Sequence, residues 1–381
     1  MNVIGKLQKF LEDFECGETA RAMKNTVENS QWHREENTWV HTKMVLDFYV
    51  KNFAKYSTET DIKIAFLALL YHDVAKPMSE VPKTDGSGAN SYPGHEPRSG
   101  VLFAEAYVQT PALQELLTIK EARAVRWIIE HHLPYGLVNK AKMQALRTST
   151  ARAMWEAGTG THTFLDCLRS DSAGRISDDH AVKLAAVEEW IQTFVDVPGD
   201  WWSSPVAGSP TAYLLIGAPG AGKSTWTLLH AEHNPYRVLS MDALKIKFYQ
   251  LETGLNASCE SELYARAWHY CTVDHEKEFL AYAMPIADTV FRLGAESDEE
   301  VFVDMINATK KKRKAWITMA RKYGMKVVGV EFWNTIETLQ ARQLTRGDKK
   351  VPAPAILENH YAQSSCWLGS EVDEVQIVIG S

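Results

Sequence analysis

A glycine-rich segment in the second half of the chain has the residue types that cradle a polyphosphate. The run Gly217-Ala-Pro-Gly-Ala-Gly222-Lys223-Ser224 fits the pattern G-x-x-x-x-G-K-S/T without a mismatch. Glycines let backbone N–H groups turn toward phosphate oxygens, and the following helix directs its positive N-terminal end at the anion. In such a loop the lysine reaches the β- and γ-phosphates of ATP and the serine holds Mg²⁺. The predicted nucleotide-binding residues are Gly217, Gly220, Gly222, Lys223, Ser224 and Thr225.

A carboxylate after the next predicted strand has the position of a general base. Asp242 follows the segment Tyr236–Met241, and Lys245 lies three residues further on. Residues at the carboxyl ends of parallel strands face the ligand crevice, so Asp242 is placed to accept a proton from an attacking hydroxyl. The alternative is that Asp242 caps the helix predicted to begin near Ala243. The two roles are compatible, and the sequence leaves both open.

Basic residues near the end of the chain suit a phosphorylated ligand. Arg342 and Arg346 lie one helical turn apart on one face, which fits polyphosphate recognition, although two surface arginines would show the same spacing. The run Lys310–Lys314 (KKKRK) offers charge to a nucleic-acid backbone or forms a solvated helix face. These alternatives also stay open.

Histidine and aspartate recur in the first half of the chain in an order typical of a metal centre. Imidazole and carboxylate groups from several helices can enclose one or two divalent transition-metal ions, which activate a water for attack on a phosphate ester. Lys76 follows His72 by one helical turn and Arg175 follows Asp171 by four residues, so both are predicted phosphate contacts. Spacing does not separate two adjacent histidines in this set. The predicted ligands are His41, His72, Asp73, His95, His131, His132 and Asp171.

The elements that must position these residues change type along the chain. On the N-terminal side, apolar residues three and four apart predict helices at Thr38–Lys55, Asp61–His72 and Glu121–His132. A segment rich in proline, glycine and serine follows and is typical of a linker. After it, short runs rich in β-branched residues alternate with helical stretches, which predicts a parallel sheet with strands at Thr211–Ile216, Tyr236–Met241, Val301–Met305 and Met325–Phe332.

These patterns predict a multidomain chain with an all-α domain at residues 1–195, a linker at 196–210 and an α/β domain at 211–381. The 381 residues are 45% hydrophobic and 23% charged, which excludes a disordered or fibrous protein. A net charge of −7 does not favour a general nucleic-acid coat protein, although a local basic site is compatible with it. Five scattered cysteines and no apolar run of about 18 residues lead us to expect a cytoplasmic protein without a membrane segment.

The second half of the chain resembles the kinase domain of phage and bacterial 5′-hydroxyl polynucleotide kinases. The resemblance runs from Thr211 to the end and includes the phosphate-binding loop, Asp242 with Lys245, Asp304 after a strand, and Arg342 with Arg346. It implies that Asp242 is the base on the ribose 5′-hydroxyl and that Arg346, helped by Arg342, binds the ATP phosphates. It also implies that Lys245, where the family usually has arginine, and Asp304 contact the substrate.

The first half resembles HD-superfamily phosphohydrolases over roughly residues 30–195, and especially the HD domains attached to tRNA nucleotidyltransferases. The resemblance implies that one metal is held by His41, His72, Asp73 and Asp171. His95 and His131 would complete a second metal site, with His132 replacing or joining His131. Asp73 and Lys76 would then act in catalysis, and Arg175 and His33 would contact the substrate.

The two halves together resemble the bacterial HD-Pnk enzymes that heal RNA ends. This resemblance implies that a 2′,3′-cyclic, 2′- or 3′-phosphate is removed from one end and a phosphate is added to a 5′-hydroxyl at the other, on RNA or DNA. Because no ligase lysine motif is evident, sealing would belong to a separate ligase. Two alternatives stay open: a mononucleotide kinase fused to a nucleotidase, and a signalling HD protein that ATP switches without phosphoryl transfer. The sequence leaves the oligomeric state open.

Overall fold

A computed structural model describes residues 2–29, 34–134, 139–177, 180–196, 210–231, 235–255, 260–346 and 351–380. The chain divides into two compact units, Met1–Trp201 with Trp367–Ser370, and Trp202–Cys366 with Glu371–Ser381. The short segment Trp367–Ser370 thus belongs to the first unit although it lies late in the chain. Among the described helices, none is long and apolar enough to cross a membrane.

The first unit is built of helices. Its central helix, Glu59–Tyr71, buries Ile64 through Leu70 without a polar face, so it has neighbours on every side. A capping box from Thr58 and Asp61 begins that helix, and a second box from Thr118 and Glu121 begins Ile119–Glu130. The helices are α1 (Val3–Cys16), α2 (Glu18–Asn25), α3 (Thr38–Asn52), α4 (Glu59–Tyr71), α5 (Lys76–Ser79), α6 (His95–Gln109), α7 (Pro111–Leu116), α8 (Ile119–Glu130), α9 (Lys140–Glu156), α10 (Thr161–Ala173) and α11 (His180–Asp196).

A two-stranded antiparallel ribbon interrupts the helices of the first unit. It pairs β1 (Val81–Pro82) with β2 (Asn90–Ser91) and departs from the all-α prediction. Each strand of the ribbon is only two residues long, so no alternation of apolar and polar residues could predict it.

The second unit is a five-stranded parallel sheet with helices between the strands. Its strands are β3 (Thr211–Ile216), β4 (Tyr236–Leu239), β5 (Glu300–Val303), β6 (Lys326–Trp333) and β7 (Glu374–Ile379), in the spatial order β4-β5-β3-β6-β7. The helices are α12 (Lys223–His230), α13 (Met241–Thr253), α14 (Glu260–His269), α15 (Glu276–Glu296), α16 (Lys310–Lys322), α17 (Ile336–Thr345) and α18 (Ala353–Tyr361).

The predicted helical first half and parallel α/β second half are confirmed at this level. The four predicted strands are present, and β7 is a fifth that the sequence reasoning missed. The predicted linker lies outside the described residues apart from its two ends, Asp196 and Pro210, and the predicted domain boundaries stay predictions. Because all five strands run parallel, the loops after β3, β4 and β5 meet at one edge of the sheet.

Candidate functional sites

The glycine-rich loop joins the end of β3 to the start of α12, as the motif requires. Gly220 and Gly222 have φ angles of 87° and 93°, a left-handed conformation that residues with a side chain rarely adopt. A Cβ atom on Gly217 would lie 2.8 Å from the Cβ of Ala221, so this position has no room for a side chain. Gly222 is the N-cap of α12, and the helix therefore starts at the loop. The loop thus has the geometry of an anion-binding cradle.

The cation and hydroxyl of the loop face two carboxylates of the same unit. The Lys223 ammonium donates to the carbonyls of Gly217 and Ala218, at 2.8 and 3.1 Å. Burial lowers the pKa of Lys223 to about 8, against the opposing charges of Asp304 and Asp242. Ser224 donates to Asp304, which follows β5, at 2.8 Å. Hydroxyl and carboxylate oxygens are ligands that Mg²⁺ prefers, so Ser224 and Asp304 fit the magnesium ion that a nucleotide brings.

Asp242 lies in the first turn of α13 and does not cap that helix. The N-cap is Ser240, whose side chain accepts from the N–H of Ala243. The Asp242 carboxylate is 40% exposed and lies 3.5 Å from the Lys245 ammonium and 3.5 Å from the Tyr264 hydroxyl. It is therefore placed to exchange a proton with a ligand.

One cavity of about 950 Å³ brings these groups together. That volume is near the upper end of the range of about 300–1,000 Å³ that is usual for small-molecule sites. The cavity is lined by Gly220, Gly222, Lys223, Ser224, Thr225, Asp242, Lys245, Asp304, Arg342 and Arg346. Apart from Gly217 at the start of the loop, every residue predicted for the nucleotide and the acceptor in this unit lines it.

The two arginines are part of the cavity wall and not a solvated pair. Arg342, on α17, donates to the carbonyl of Gly220 at 3.0 Å and to the Asn334 side chain at 3.2 Å. Arg346, just after α17, is close enough to Lys223 for its charge to contribute to the lowered pKa of that lysine. Both guanidinium groups therefore lie beside the place where phosphates would bind.

The residues of the basic run Lys310–Lys314, at the start of α16, differ in burial. Arg313 is fully buried and paired with Glu371 at 2.6 Å, and it also donates to backbone carbonyls at Asn307, Ala308 and Ser365. Lys312 is exposed and lines the 950 Å³ cavity. Neither of the two sequence alternatives covers the structural role of Arg313.

The first unit collects its histidines and aspartates from five helices or helix ends. His41 lies on α3 and Asp171 on α10, His72 and Asp73 directly follow α4, His95 is the first residue of α6, and His132 follows α8. All six side chains are buried.

Asp73 lies between two groups of metal-type ligands. Its Oδ2 atom is 3.1 Å from His72 Nε2 and 3.7 Å from His41 Nε2, whereas its Oδ1 atom is 3.1 Å from His95 Nε2 and 3.7 Å from His132 Nε2. Asp171 Oδ1 joins the first group, 3.1 Å from His41 Nε2. Either group could hold a metal ion, and the carboxylate of Asp73 could bridge the two.

The other ring nitrogens are occupied in a way that prepares these histidines as ligands. The Nδ1 atoms of His72, His95 and His132 contact the backbone carbonyls of Leu69, Tyr92 and Ile129 at 2.6–2.8 Å. A carbonyl only accepts, so each Nδ1 carries the proton and each Nε2 offers a lone pair.

The Oδ1 atom of Asp73, which faces His95 and His132, also supports a metal site. Within the described residues, no hydrogen-bond donor reaches Asp73 Oδ1 with suitable geometry although the atom is buried. Nε2 atoms and an unsatisfied carboxylate oxygen that face a common point are the arrangement that a metal ion satisfies. The donor set fits one or two divalent metals.

The electrostatics of this cluster are those of closely packed charged groups. Burial alone would raise the pKa of Asp73, but His72 and Lys76 hold it well below its usual range. Burial lowers the pKa of His132 to about 3. Burial would also lower the pKa of His41, but the hydrogen bonds with Asp171 and Glu35 raise it to about 9. Asp73 is therefore an anion and His132 a neutral imidazole at neutral pH.

The two cations predicted as phosphate contacts, Lys76 and Arg175, border the cluster. Lys76 is buried and pairs with Asp73 Oδ2 at 2.8 Å and with Glu28 Oε1 at 2.7 Å. Arg175 donates to Asp171 Oδ2 at 2.5 Å. A cavity of about 260 Å³ opens onto Asp73, Lys76, His95, His132, Asp171 and Arg175. A phosphate in this cavity would meet both cations, the two aspartates and the second ligand group.

The structure separates the adjacent histidines, which the sequence could not. His131 stacks on Trp127 with ring centroids 3.9 Å apart, and its Nδ1 contacts the Trp127 carbonyl. His132, not His131, therefore lies in the ligand cluster. His33 lies outside the described residues.

Sequence reasoning missed several residues that support the two sites. Glu28 neutralises Lys76, and Glu35 accepts from the Ile176 N–H and lies 3.5 Å from His41 Nδ1. Tyr264 and Trp268 on α14 line the phosphate-loop cavity. Glu28 and Glu35 flank the segment before α3 at no fixed spacing from a motif, and α14 carries no motif at all, so no sequence signal marked them.

Comparison with known proteins concerns the second unit. Residues 213–365 match the model of the family described as AAA domain. A gluconokinase from Sinorhizobium meliloti 1021 is similar at 18% sequence identity, covering 45% of this chain and 82% of its own, with a TM-score of 0.28. The chain joins a helical first unit to a parallel α/β domain with a phosphate-binding loop, and this domain is similar over residues 213–365 to the AAA domain family.

Proposed function

We propose that this protein heals broken RNA or DNA ends by phosphorylating 5′-hydroxyls with ATP and removing phosphates from the 2′ or 3′ position. The observation that carries the proposal is that Asp242 and the phosphate-binding loop line one cavity, so that a hydroxyl base faces the loop. A nucleotide switch needs no such base, which favours phosphoryl transfer over switching alone. The resemblance to polynucleotide kinases gives the acceptor.

In the kinase reaction, Asp242 accepts the proton of the 5′-hydroxyl as its oxygen bonds to the γ-phosphorus. The bond between that phosphorus and the bridging oxygen breaks, and ADP leaves. Lys223, Arg342 and Arg346 stabilise the negative charge on the transferred group and the leaving phosphates. Ser224 and Asp304 would hold Mg²⁺, which would offset negative charge on the phosphates. Lys245, beside Asp242, is placed to contact the acceptor backbone.

In the second reaction, the cluster around Asp73 supports hydrolysis of a terminal phosphate. A divalent metal held there would lower the pKa of a water and offset charge on the phosphate oxygens. In each hydrolysis a water oxygen bonds to phosphorus, one ester bond to a ribose oxygen breaks, and that oxygen takes a proton that the water gives up. One such step converts a 2′- or 3′-phosphate to a hydroxyl end and inorganic phosphate, whereas a 2′,3′-cyclic phosphate needs two. Lys76 and Arg175 bind the non-bridging oxygens and orient the phosphate over the cluster.

The two reactions are tested separately with single-site variants. Asp242→Asn preserves shape but removes the base, so phosphorylation of a 5′-hydroxyl oligonucleotide should fall by about 10²–10⁴-fold while ATP binding persists. Asp288→Asn, at an exposed ion pair on α15, is the matched control and should retain activity. Phosphorylation of mononucleotides in preference to oligonucleotides would replace this proposal with a small-molecule kinase.

For the hydrolase, Asp73→Asn should lose phosphate release from a 2′,3′-cyclic or 3′-phosphate end. The same variant should phosphorylate 5′-hydroxyls as wild type does, because Asp73 belongs to the other unit. Release that survives Asp73→Asn in every divalent metal tried would exclude this cluster as the hydrolytic site.

A further inference from the structure

Helix α14 presents two aromatic side chains to the phosphate-loop cavity. Tyr264 and Trp268 are four residues apart, so they share one face of the helix. The Tyr264 hydroxyl lies 3.5 Å from Asp242 Oδ2, which fixes that face toward the proposed base. Trp268 lines the same cavity and is still 46% exposed. The Trp268 indole is therefore half-exposed beside the position proposed for the acceptor hydroxyl, and the phosphoryl-transfer step above assigns it no role.

The order of the strands places Trp268 on the acceptor side of the cavity. The phosphate loop follows β3, at the centre of the sheet, and Asp242 follows β4, on one flank of it. Arg342 and Arg346 come from α17, which follows β6 on the other flank. The transferred phosphate must lie between Lys223 and Asp242, so the acceptor occupies the β4 flank and the rest of ATP extends away from it. Helix α14 lies with Asp242 on the β4 flank.

The backbone after Trp268 departs from a regular helix. A π-helical turn at Tyr270–Asp274 follows α14 directly, and such turns are frequent at functional sites. The His275 ring packs against the Tyr270 ring at a tilt, with centroids 4.1 Å apart, and supports this turn. The position of Trp268 is thus held by local structure and not by a flexible loop tip.

We propose that Trp268 is the platform on which the terminal base of the acceptor strand stacks, so that the preferred acceptor is an unpaired 5′-hydroxyl end. This inference rests on the proposed kinase function. Any base can stack on an indole, because every base has an aromatic face. The stacked base must be unpaired and no longer stacked in a duplex. Trp268 therefore determines specificity for single-stranded ends and positions the 5′-hydroxyl near Asp242.

The test pairs a change in the protein with a change in the substrate. Wild type and Trp268→Ala are each given a 5′-hydroxyl oligonucleotide with a normal terminal base and one with an abasic terminal nucleotide. Wild type should prefer the normal end by about 5- to 150-fold in kcat/KM, the range expected for one stacked base. Trp268→Ala should lose that preference and show a raised KM for oligonucleotide with an unchanged KM for ATP.

Three further measurements keep the test informative. Trp268→Phe should keep most of the preference because it keeps an aromatic face. Trp155→Ala removes a tryptophan of comparable exposure, 58%, from α9 in the other unit and should behave as wild type. In wild type, a recessed 5′ end in a duplex should be a poorer acceptor than the same end left single-stranded.

Equal use of normal and abasic ends by wild type would overturn the stacking role while leaving the kinase proposal intact. A rise in the KM for ATP in Trp268→Ala, with the base preference retained, would place the indole on the donor and overturn the inference. No phosphorylation of any polynucleotide by wild type would refute the proposed kinase function itself, and the inference with it.

Discussion

Substituting Asp73, whose carboxylate faces both candidate ligand groups, should abolish metal binding at both of them. Asp73 Oδ2 faces His72 and His41, and Oδ1 faces His95 and His132, at the distances given above. Asp73→Asn keeps the shape of the side chain but removes its charge. We therefore expect wild type to bind two divalent ions, His132→Ala to bind one and Asp73→Asn to bind neither tightly.

The size of the effect follows from linkage between binding and folding. At a metal concentration of 100 times Kd, each filled site stabilises the folded state by about 2.7 kcal/mol. For a unit of this size, 1 kcal/mol raises Tm by roughly 2–4 °C, so each site should add roughly 5–11 °C. Asp73→Asn should show almost none of this increase, and His132→Ala about half of the wild-type increase.

The assay is thermal unfolding of the dialysed full chain in Mn²⁺, Co²⁺, Ni²⁺ or Zn²⁺, together with metal analysis after gel filtration. His131→Ala is the matched control, because His131 stacks on Trp127 outside the cluster and both ions should be retained. The reasoning is refuted by a His131→Ala variant that loses as much metal as His132→Ala, or by an Asp73→Asn variant that still binds two ions.

Two further predictions concern the second unit. Arg313→Met leaves Glu371 buried without its partner and should lower the free energy of unfolding, measured in urea, by about 3–5 kcal/mol. The control Arg321→Met, at a more exposed ion pair with Asp373, should lower it by no more than about 1 kcal/mol. Similar losses for the two variants would contradict this account. Because burial lowers the pKa of Lys223 to about 8, the lysine is mostly charged at pH 7, about half charged at pH 8 and progressively neutral above it. Calorimetric ATP affinity should therefore fall by up to about tenfold per pH unit above 8, whereas a flat profile to pH 10 would exclude this lysine as the titrating phosphate ligand.

Local patterns in the sequence were sufficient for the phosphate loop, for four of the strands and for several of the long helices. The loop motif needs a strand before it and a helix after it, and β3 and α12 provide them. Helices α3, α4 and α8 have the apolar spacing of buried helices, and their predicted and observed bounds differ by only a few residues. Strand β7 was missed because its run EVQIVI has no helix directly before it and no motif after it.

Sequence spacing could not predict the roles of residues that depend on tertiary contacts. His131 and His132 are chemically identical neighbours, and only the end of α8 determines which imidazole enters the cluster. The same holds for Arg313, which stands in a run of lysines but is buried because Glu371 and several carbonyls meet its guanidinium. Asp242 is a good N-cap by type, yet the backbone assigns that position to Ser240.

The central claim, two independent end-healing sites in one chain, is tested most directly with a single substrate. An oligonucleotide with a 5′-hydroxyl and a 3′-phosphate is incubated with ATP, Mg²⁺ and a divalent transition metal, and its product is identified by mass spectrometry. We predict that wild type gives an oligonucleotide with a 5′-phosphate and a 3′-hydroxyl. Lys223→Ala should only remove the 3′-phosphate, and Asp73→Asn should only add the 5′-phosphate. A wild-type product with both ends unchanged, or either variant losing both reactions together, would contradict the account.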